Sequence, residues 1–226
     1  PFKMTCTMLT VPRLDILDSL DNTEDLLSTL DSRGARGCID SVNWPEVASY
    51  RPMAQFAIAY TSQAIYIDFL TRCNYLRAVN TENQSPVSQD SCVEFFLDPK
   101  GDGEYWNLEF NCIGAINASR RFTRPNPTRL NDEQLARVKR FPSVGTRPFC
   151  ELEGLFTWNL LVVIPLDLIG LDADNMPQTM KCNFYKCASA TSDPHYLSWN
   201  PIKTDKPDFH RPDFFGEISF EHSDSH

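Results

Sequence analysis

Long hydrophobic runs are missing from this sequence. The longest apolar stretch covers residues 160–166, whereas a membrane-spanning helix needs about 20 residues. An excess of positive charge is missing too, since the formal net charge is -9 at pH 7 and the isoelectric point is about 4.9. Nucleic acids and anionic membrane surfaces both demand a basic face. The sequence therefore argues against membrane insertion and nucleic-acid binding, and it leaves neutral ligands and cations.

Several catalytic and metal-binding patterns are missing as well. There is no Gly-x-Ser-x-Gly motif, and His195 has no evident serine or cysteine partner in the sequence. The eight cysteines include no Cys-x-x-Cys pair, which argues against a zinc site of the usual spacing. An even cysteine count hints at disulfides, but Cys92 and Cys112 fall in predicted strands, where a free thiol packs as a small hydrophobe.

What the sequence does contain is a series of short β-like segments separated by turn residues. Sixteen prolines punctuate the chain, and no long helical period occurs. Residues 1–44 are expected to be irregular, apart from a short helix at 23–30 capped by Thr23; one or two further helical turns are expected within 131–140. The expected strands lie at residues 54–60, 64–70, 113–122, 156–164, 181–187 and 215–220, with a hairpin within 92–111.

This pattern predicts the fold class. Many short strands with proline- and glycine-marked turns are typical of an antiparallel β-sandwich, of jelly-roll or immunoglobulin-like type. We expect residues 1–226 to form a single all-β domain with one or two short helices.

The predicted hairpin places a carboxylate inside each of two hydrophobic stretches. Alternate residues of a strand face opposite sides of the sheet. The core side is defined by Val93, Phe95, Leu97, Trp106, Leu108 and Phe110. If Phe95 pairs with Leu108, then Glu94 stands opposite Glu109; a shift of two residues would place it opposite Asn107. Cross-strand neighbours have Cβ atoms about 4.5–5.5 Å apart.

The other side of this sheet is the main candidate for a binding site. Carboxylates and amides bind vicinal hydroxyls, and aromatic rings stack on the C–H faces of sugars, so this composition suits a polyhydroxylated ligand. A solvated outer face is the alternative interpretation. Loop 201–212 adds an aromatic residue, either as a stacking platform or as a plug over the core. The candidate ligand-binding residues are Glu94, Asn107, Glu109, Asn111, Asn183, Tyr185, Phe209 and His210.

Several sequence elements resemble family 9 carbohydrate-binding modules. Residues 89–98 (QDSCVEFFLD) are similar to a QDSVEIFID-like strand of that family, with one residue inserted. Residues 39–44 (IDSVNW) resemble its opening IDG…W element, and residues 197–199 (LSW) and 209–216 (FHRPDFFG) resemble its closing element. The resemblance extends over about residues 38–220, and it is strongest to stand-alone proteins of polysaccharide-degrading bacteria.

The resemblance implies a DOMON-related β-sandwich that binds oligo- or polysaccharide without catalysis. In this family two aromatic rings enclose a terminal sugar, and polar side chains hold its hydroxyls. Glu94 matches the glutamate of the family's strand motif. Phe209 stands where one stacking tryptophan is expected, whereas Val87 stands at the other position and cannot stack.

The resemblance also points to a change of charge. The arginine of the family's next strand maps to Glu109, which has the opposite charge. Arg121 is therefore the candidate for the lost cation, together with its neighbours Arg120 and Arg124. Specificity for the ends of xylan or cellulose is not carried over.

Two other functions stay open at this point. Glu94 and Glu109 suit a glycoside-active enzyme, because retaining glycosidases hold two carboxyls about 5–5.5 Å apart. A haem-binding DOMON relative would need a pair of axial Met or His ligands, and no such pairing is evident in the sequence. The expected partner is a carbohydrate, with association to glycoside hydrolases as a further expectation. We expect a periplasmic or extracellular location, although no signal peptide is visible.

No cofactor is required by the sequence, but the resemblance makes structural calcium an expectation. Calcium is bound by six to eight oxygen atoms, many of them from carboxylates. Two acidic turns offer such oxygens: Asp98, Asp102 and Glu104, and Asp172, Asp174 and Asn175.

Overall fold

The computed structural model describes residues 8–222, so Cys6 lies outside the described part of the chain. Short 3₁₀ turns connect several of the regular elements. In chain order these elements are β1 (Leu9–Val11), α1 (Thr23–Arg33), β2 (Ala35–Cys38), β3 (Ser41–Val42), β4 (Met53–Tyr60), β5 (Ala64–Ala78), β6 (Cys92–Asp98), β7 (Tyr105–Asn111), β8 (Ile116–Arg121), β9 (Thr128–Arg129), α2 (Asp132–Ala136), β10 (Lys139–Pro142), β11 (Phe149–Pro165), β12 (Thr179–Cys187), β13 (Tyr196–Ser198) and β14 (Gly216–Phe220).

The strands form two sheets that pack face to face. The larger sheet has nine strands in the order β1-β14-β12-β6-β7-β8-β9, with β13 and β3 joined through β12. The smaller sheet has five strands in the order β10-β11-β5-β4-β2. The strands pair antiparallel except for β1 with β14. The predicted β-sandwich is confirmed, with one parallel pair that the sequence did not indicate.

The hydrophobic core lies between the two sheets. Phe56 of β4 stacks on Phe184 of β12, with ring centroids 3.7 Å apart, and Phe95 of β6 lies 5.0 Å from Phe184. All three rings are buried, and burial of each contributes about 1.5–3 kcal/mol. Because β6, β7 and β12 direct alternate residues into this core, the remaining residues of these strands must face the other side of the larger sheet.

Helix α1 covers the outer side of the smaller sheet through Leu26 and Leu30, which pack in one cluster with Leu161. Its N-cap is Asn22, whose side chain accepts a hydrogen bond from the Asp25 backbone N–H at 2.8 Å. The expected cap, Thr23, is instead the first helical residue. Both residue types cap helices well, and the extended backbone of Asn22 decides between them. The segment expected to be irregular thus contains α1 as well as three strands.

The limits of other elements also differ from the expected ones. Strand β5 continues beyond residue 70 to Ala78, and β11 begins at Phe149 rather than at residue 156. These extensions pair with each other, with irregular register, and several of their side chains are exposed, so the apolar pattern that marks a strand is weak there. The helix expected within 131–140 is confined to α2, because β10 begins at Lys139 and pairs with β11.

Two further expectations concern the membrane and the cysteines. Among residues 8–222, no helix combines the length and the apolar character that crossing a membrane requires. The seven cysteines of this part of the chain are free thiols. Cys92 and Cys112 are buried, as expected for thiols within strands.

Candidate functional site

A cavity of about 310 Å³ lies on the outer side of the larger sheet. Strands β6, β7 and β12 line it through Glu94, Glu109 and Cys187, and residues 207–210 of the loop 201–212 line it as well. Its lining includes Glu94, Glu109, Cys187, Tyr196, Phe209 and His210. The sheet beneath this loop is buried rather than solvated, so the alternative interpretation of a plain solvated face does not describe the structure.

Strand pairing brings the two glutamates together. Phe95 pairs with Leu108, so Glu94 stands directly opposite Glu109, as the first of the two registers predicted. Tyr185 of β12 is the partner of Glu94 on its other side. The polar residues of three strands therefore share one side of the sheet, which confirms the arrangement inferred from the alternation of residues.

Burial changes the ionisation of this carboxyl pair. Glu94 is 2 % exposed and Glu109 is 7 % exposed. Burial raises the pKa of Glu94 well above its ordinary value, and the neighbouring Cys187 and Glu109 raise it further. Burial also raises the pKa of Glu109 to about 7, although the Arg121 guanidinium lowers it in part. Near neutral pH the pair therefore retains at least one proton, and it can both donate and accept hydrogen bonds.

A chain of side chains holds Glu109 in place. Asn107 donates to one carboxylate oxygen of Glu109 at 3.2 Å, and Asn117 donates to the other at 3.3 Å. Arg121 Nε donates to the Asn107 side-chain oxygen at 2.9 Å. Asn107 and Arg121 are two of the predicted ligand-binding residues, but here they reach the cavity through Glu109.

The loop aromatic predicted from the sequence lies over the sheet. Phe209 stacks on Tyr185 with ring centroids 4.2 Å apart and an interplanar angle of 12°. The Tyr185 hydroxyl donates to the Phe209 carbonyl oxygen at 3.1 Å. Tyr185 is fully buried, so its role in the structure is to support Phe209, which lines the cavity.

A second aromatic residue, Tyr196, was missed by the sequence reasoning. Its ring lies 6.4 Å from that of Phe209 at an angle of 69°. Val87, the residue at the expected stacking position, is fully buried in a small cluster with Cys92, and Tyr196 and Phe209 pack against that cluster. Tyr196 belongs to β13, and no local sequence pattern predicts that β13 pairs with β12. The one available hint was an aromatic residue two positions after Pro194.

His210 completes the loop side of the cavity. Its Nδ1 lies 2.9 Å from the Tyr105 hydroxyl, and its backbone N–H donates to the Asp208 carboxylate at 3.0 Å. Burial lowers the pKa of His210 to about 3, with help from Arg121 and Arg124. The imidazole is therefore neutral over the physiological range and can bind a hydroxyl group.

Two predicted residues have other partners. Asn111 donates to the Asp90 carboxylate at 3.0 Å and to the Asn80 carbonyl oxygen at 2.7 Å. Asn183 donates to the Asn200 carbonyl oxygen at 3.1 Å and accepts from its backbone N–H at 2.8 Å. Neither is among the cavity-lining residues. Asn183 instead connects β12 to the segment that leads into the loop.

The fold separates Arg120 from the other two arginines proposed to replace a lost cation. Arg120 forms an ion pair with Glu104 at 3.1 Å, and its guanidinium lies 5.9 Å from the centre of the Trp106 ring. Arg121 binds Asn107 and also donates to the Arg124 carbonyl oxygen at 2.5 Å. Arg124 lines the cavity, so two of the three arginines belong to the site.

Three sets of residues are relevant to metal binding. In the first expected calcium turn, the Asp98 carboxylate already accepts the backbone N–H groups of Gly101 at 2.7 Å and Gly103 at 3.0 Å. In the second, the Asp172 side chain accepts the backbone N–H of Asp174 at 3.0 Å. Calcium binding at these turns stays a prediction. A third set, within residues 8–222, is a buried cluster formed by Cys92, Glu94 and Cys187.

Comparisons with known proteins agree on one family. A family model described as carbohydrate-binding family 9 matches residues 24–220. The crystal structure of a candidate carbohydrate-binding protein from Bacteroides uniformis ATCC 8492 is similar with a TM-score of 0.87 and 36% identity, over 94% of this chain and 98% of that chain.

More distant structures share the fold. A family 9 module from Caldicellulosiruptor kristjanssonii in complex with glucose has a TM-score of 0.54 and 16% identity, over 96% of this chain and 97% of that chain. The same kind of module in complex with cellotriose has a TM-score of 0.53 and 15% identity, over 96% and 95%. No curated protein matches the chain.

Proposed function

The chain belongs to carbohydrate-binding family 9, and from this premise we propose that its cavity binds one end of a neutral oligo- or polysaccharide without cleaving it. The observation that carries the proposal is the position of the Glu94–Glu109 pair beside the Phe209 ring in one cavity of about 310 Å³. Ligand pockets usually measure about 300–1,000 Å³, so this cavity suits a single terminal sugar unit.

The ionisation of the site favours a neutral sugar over an acidic one. A carboxyl pair that shares a proton offers both a donor and an acceptor to vicinal hydroxyl groups. The neutral His210 imidazole adds one more side chain that can form a hydrogen bond with a sugar hydroxyl group. A uronic acid would bring a further carboxylate close to this pair, and like charges at short distance are unfavourable.

The geometry also favours binding over hydrolysis. Glu94 and Glu109 lie on neighbouring strands of the same wall, so both reach a ligand from one side. A glycosidase needs two carboxyls that flank the scissile bond. For this reason we propose that the pair holds hydroxyl groups and does not perform acid–base catalysis.

The proposal is tested with a glycan array followed by titration calorimetry on each hit. Glucose and cello-oligosaccharides are suitable first probes, since distant structures of the same fold hold glucose and cellotriose. Glu94→Gln and Phe209→Ala should each weaken binding more than about tenfold, because each removes a contact worth roughly 1.4 kcal/mol or more.

Two matched variants serve as controls. Glu104→Gln alters a carboxylate of the same hairpin that pairs with Arg120 outside the cavity. Phe122→Ala removes a ring that is 60 % exposed. Both should bind as the unchanged protein does. A blank array across plant, mucin and microbial glycans, or equal losses in the controls, would contradict the proposal. Release of reducing ends that stops in Glu94→Gln would favour the enzyme instead.

Location and association with enzymes belong to the same proposal. A carbohydrate-binding protein of this family meets its ligand where polysaccharides are degraded, which supports a periplasmic or extracellular location and association with glycoside hydrolases. Cell fractionation of the natural host tests the location. Recovery of the protein in the cytosolic fraction alone would contradict it.

A further inference from the structure

Three potential metal ligands meet at the strand side of the cavity. Cys92 of β6 pairs directly with Cys187 of β12, and Glu94 follows two residues later on the same side of β6. Each thiol sulfur approaches the same carboxylate oxygen: Cys92 Sγ lies 3.6 Å from Glu94 Oε1, and Cys187 Sγ lies 3.3 Å from it. The three ligand atoms all lie within 4.8 Å of one another.

The two sulfur–oxygen separations match the corresponding edges of a zinc coordination tetrahedron. Zinc–sulfur bonds of about 2.3 Å and zinc–oxygen bonds of about 2.0–2.2 Å, at tetrahedral angles, place sulfur and oxygen ligands roughly 3.5 Å apart. The two observed distances are 3.6 Å and 3.3 Å. The two sulfur atoms lie within 4.8 Å of each other, so a small adjustment of the side chains lets one small ion contact all three atoms.

In the absence of a cation the two thiols donate hydrogen bonds to Glu94, and a metal ion can take the place of their protons. Cys92, Glu94 and Cys187 are at most 2 % exposed, and every one of them becomes an anion when it loses its proton. Such a group is costly to bury unless a positive charge is nearby. Thiolates select ions of the zinc class, whereas calcium and magnesium prefer oxygen ligands.

We propose that Cys92, Glu94 and Cys187 bind one divalent ion of the zinc class, with its remaining coordination position directed into the cavity. Both Glu94 and Cys187 line the cavity, so the fourth ligand is water or a hydroxyl group of the bound sugar. Three protein ligands with one exchangeable position are typical of open zinc sites. Two S–H bonds and the O–H bond of the Glu94 carboxyl break, two metal–sulfur bonds and one metal–oxygen bond form, and the protons are released to solvent.

The test is a titration of reduced, metal-free protein with Co²⁺, which reports thiolate ligands and tetrahedral geometry by its absorption. The background carries Cys38→Ser and Cys150→Ser, which remove two exposed thiols, and Cys6→Ser, which removes the thiol outside the described residues. One equivalent of Co²⁺ should produce a thiolate charge-transfer band, and one equivalent of Zn²⁺ should abolish it.

Variants separate this cluster from the other thiols. Cys92→Ala and Cys187→Ala should each weaken Co²⁺ binding by at least about tenfold. Replacing a residue that only hydrogen-bonds to a metal ligand already lowers metal affinity by about this factor, and these two thiols are direct ligands. Cys182→Ala is the matched control: Cys182 is equally buried and on β12, but it packs in the core between the sheets. It should retain the band. Cys187→Ser, which keeps the side-chain volume, replaces Cys187→Ala if that variant does not fold.

Two results would overturn the proposal. One is the absence of a thiolate–cobalt band in the background protein. The other is a band that persists when Cys92 and Cys187 are replaced together. A disulfide between these two residues in the protein as isolated, detected by counting thiols in denaturant before and after reduction, would also count against a resident ion. The titration contains no carbohydrate, so its outcome is independent of the glycan screen.

Discussion

Two groups of buried ionisable side chains lie on opposite sides of β12. Tyr185 and Cys187 are on the cavity side, next to Glu94. Lys186, between them, points the other way: its Nζ lies 2.7 Å from His195 Nε2 and 5.9 Å from the centre of the Trp158 ring in the core. The alternation of residues along one strand thus separates a group that a ligand can reach from a group that is enclosed.

The enclosed pair satisfies its own hydrogen bonds. Lys186 Nζ donates to the Cys187 carbonyl oxygen at 3.1 Å and to His195 Nε2. His195 Nδ1 lies 3.0 Å from the Asp193 carbonyl oxygen, so Nδ1 carries the proton and Nε2 is free to accept. Burial lowers the pKa of His195 well below its ordinary value, and Lys186 lowers it further. Burial likewise lowers the pKa of Lys186.

The comparison shows that a shifted pKa alone does not identify a binding site. Burial shifts the ionisation of both groups, because removing a charge from water is costly wherever it happens. The difference lies in access, since Glu94 and Glu109 are among the residues that line the cavity and Lys186 and His195 are not. Changes to the enclosed pair should therefore affect stability, and changes to the accessible pair should affect binding.

The largest effect is expected for His195→Ala. The substitution leaves the buried Lys186 without its imidazole partner and opens a cavity beneath Tyr50, whose ring packs against His195 at 5.4 Å. We expect the free energy of unfolding to fall by about 3 kcal/mol. Urea unfolding measures this loss.

Replacing both members of the enclosed pair sharpens this test. His195→Ala combined with Lys186→Met should recover part of the lost stability, because no buried ammonium is then left unpaired. Glycan affinity should be unchanged in each folded variant. A tenfold loss of affinity at constant stability would show that the enclosed pair belongs to the binding site.

The second effect is the pH dependence of stability that Glu109 produces. Its pKa is raised from an ordinary 4.5 to about 7, mainly by burial. The folded state therefore binds more protons than the unfolded state between these values. The contribution of this group to stability is complete below pH 4.5 and is lost as the pH rises through 7. Glu109→Gln removes that loss, so the variant should be about 2 kcal/mol more stable than the unchanged protein at pH 8.

The measurement is urea unfolding at pH 4.5 and pH 8 with a chelator present, so that no metal contributes. The two proteins should differ little at pH 4.5, where Glu109 is protonated. Glu104→Gln is the control and should show no such dependence. An unchanged difference between the two pH values would mean that burial does not raise the pKa of Glu109 in the folded protein.

The third effect tests the aromatic residue that the structure adds to the site. Tyr196→Ala should weaken glycan binding about five- to tenfold, because an aromatic contact is worth about 0.5–1.5 kcal/mol. Tyr196→Phe keeps the ring and should bind nearly as well as the unchanged protein. Calorimetry with the sugar found on the array measures both affinities, and equal affinity in Tyr196→Ala would exclude the ring from the site.

The smallest effect is expected for Arg120→Ala. Arg120 pairs with Glu104 at a partly exposed position outside both groups. Such pairs contribute about 0–1 kcal/mol to stability, and the glycan affinity should change less than about twofold. Arg124→Ala, made in parallel, removes the guanidinium that lines the cavity. If Arg120→Ala weakened glycan binding more than Arg124→Ala, access to the cavity would not be the property that distinguishes these two arginines.

The sequence by itself determined the class of fold and the side of the sheet on which the glutamates lie. Alternation of apolar and polar residues has a local physical cause, the period of two along a strand. It therefore placed Phe95 and Leu108 in the core and Glu94 and Glu109 on the opposite side, and it identified Phe209 as a loop aromatic. The helix cap was less certain, because neighbouring Asn22 and Thr23 are both good capping residues.

Only the tertiary structure decided which of these residues share a cavity. Cys92 and Cys187 are distant in sequence and become neighbours through the pairing of β6 with β12. Tyr196 reaches the cavity through β13, and Asn111 and Asn183 are drawn into other hydrogen bonds. Contacts of this kind depend on packing between distant segments, and no local pattern encodes them. Local periodicity thus established the faces of each strand, and long-range packing chose the members of the site.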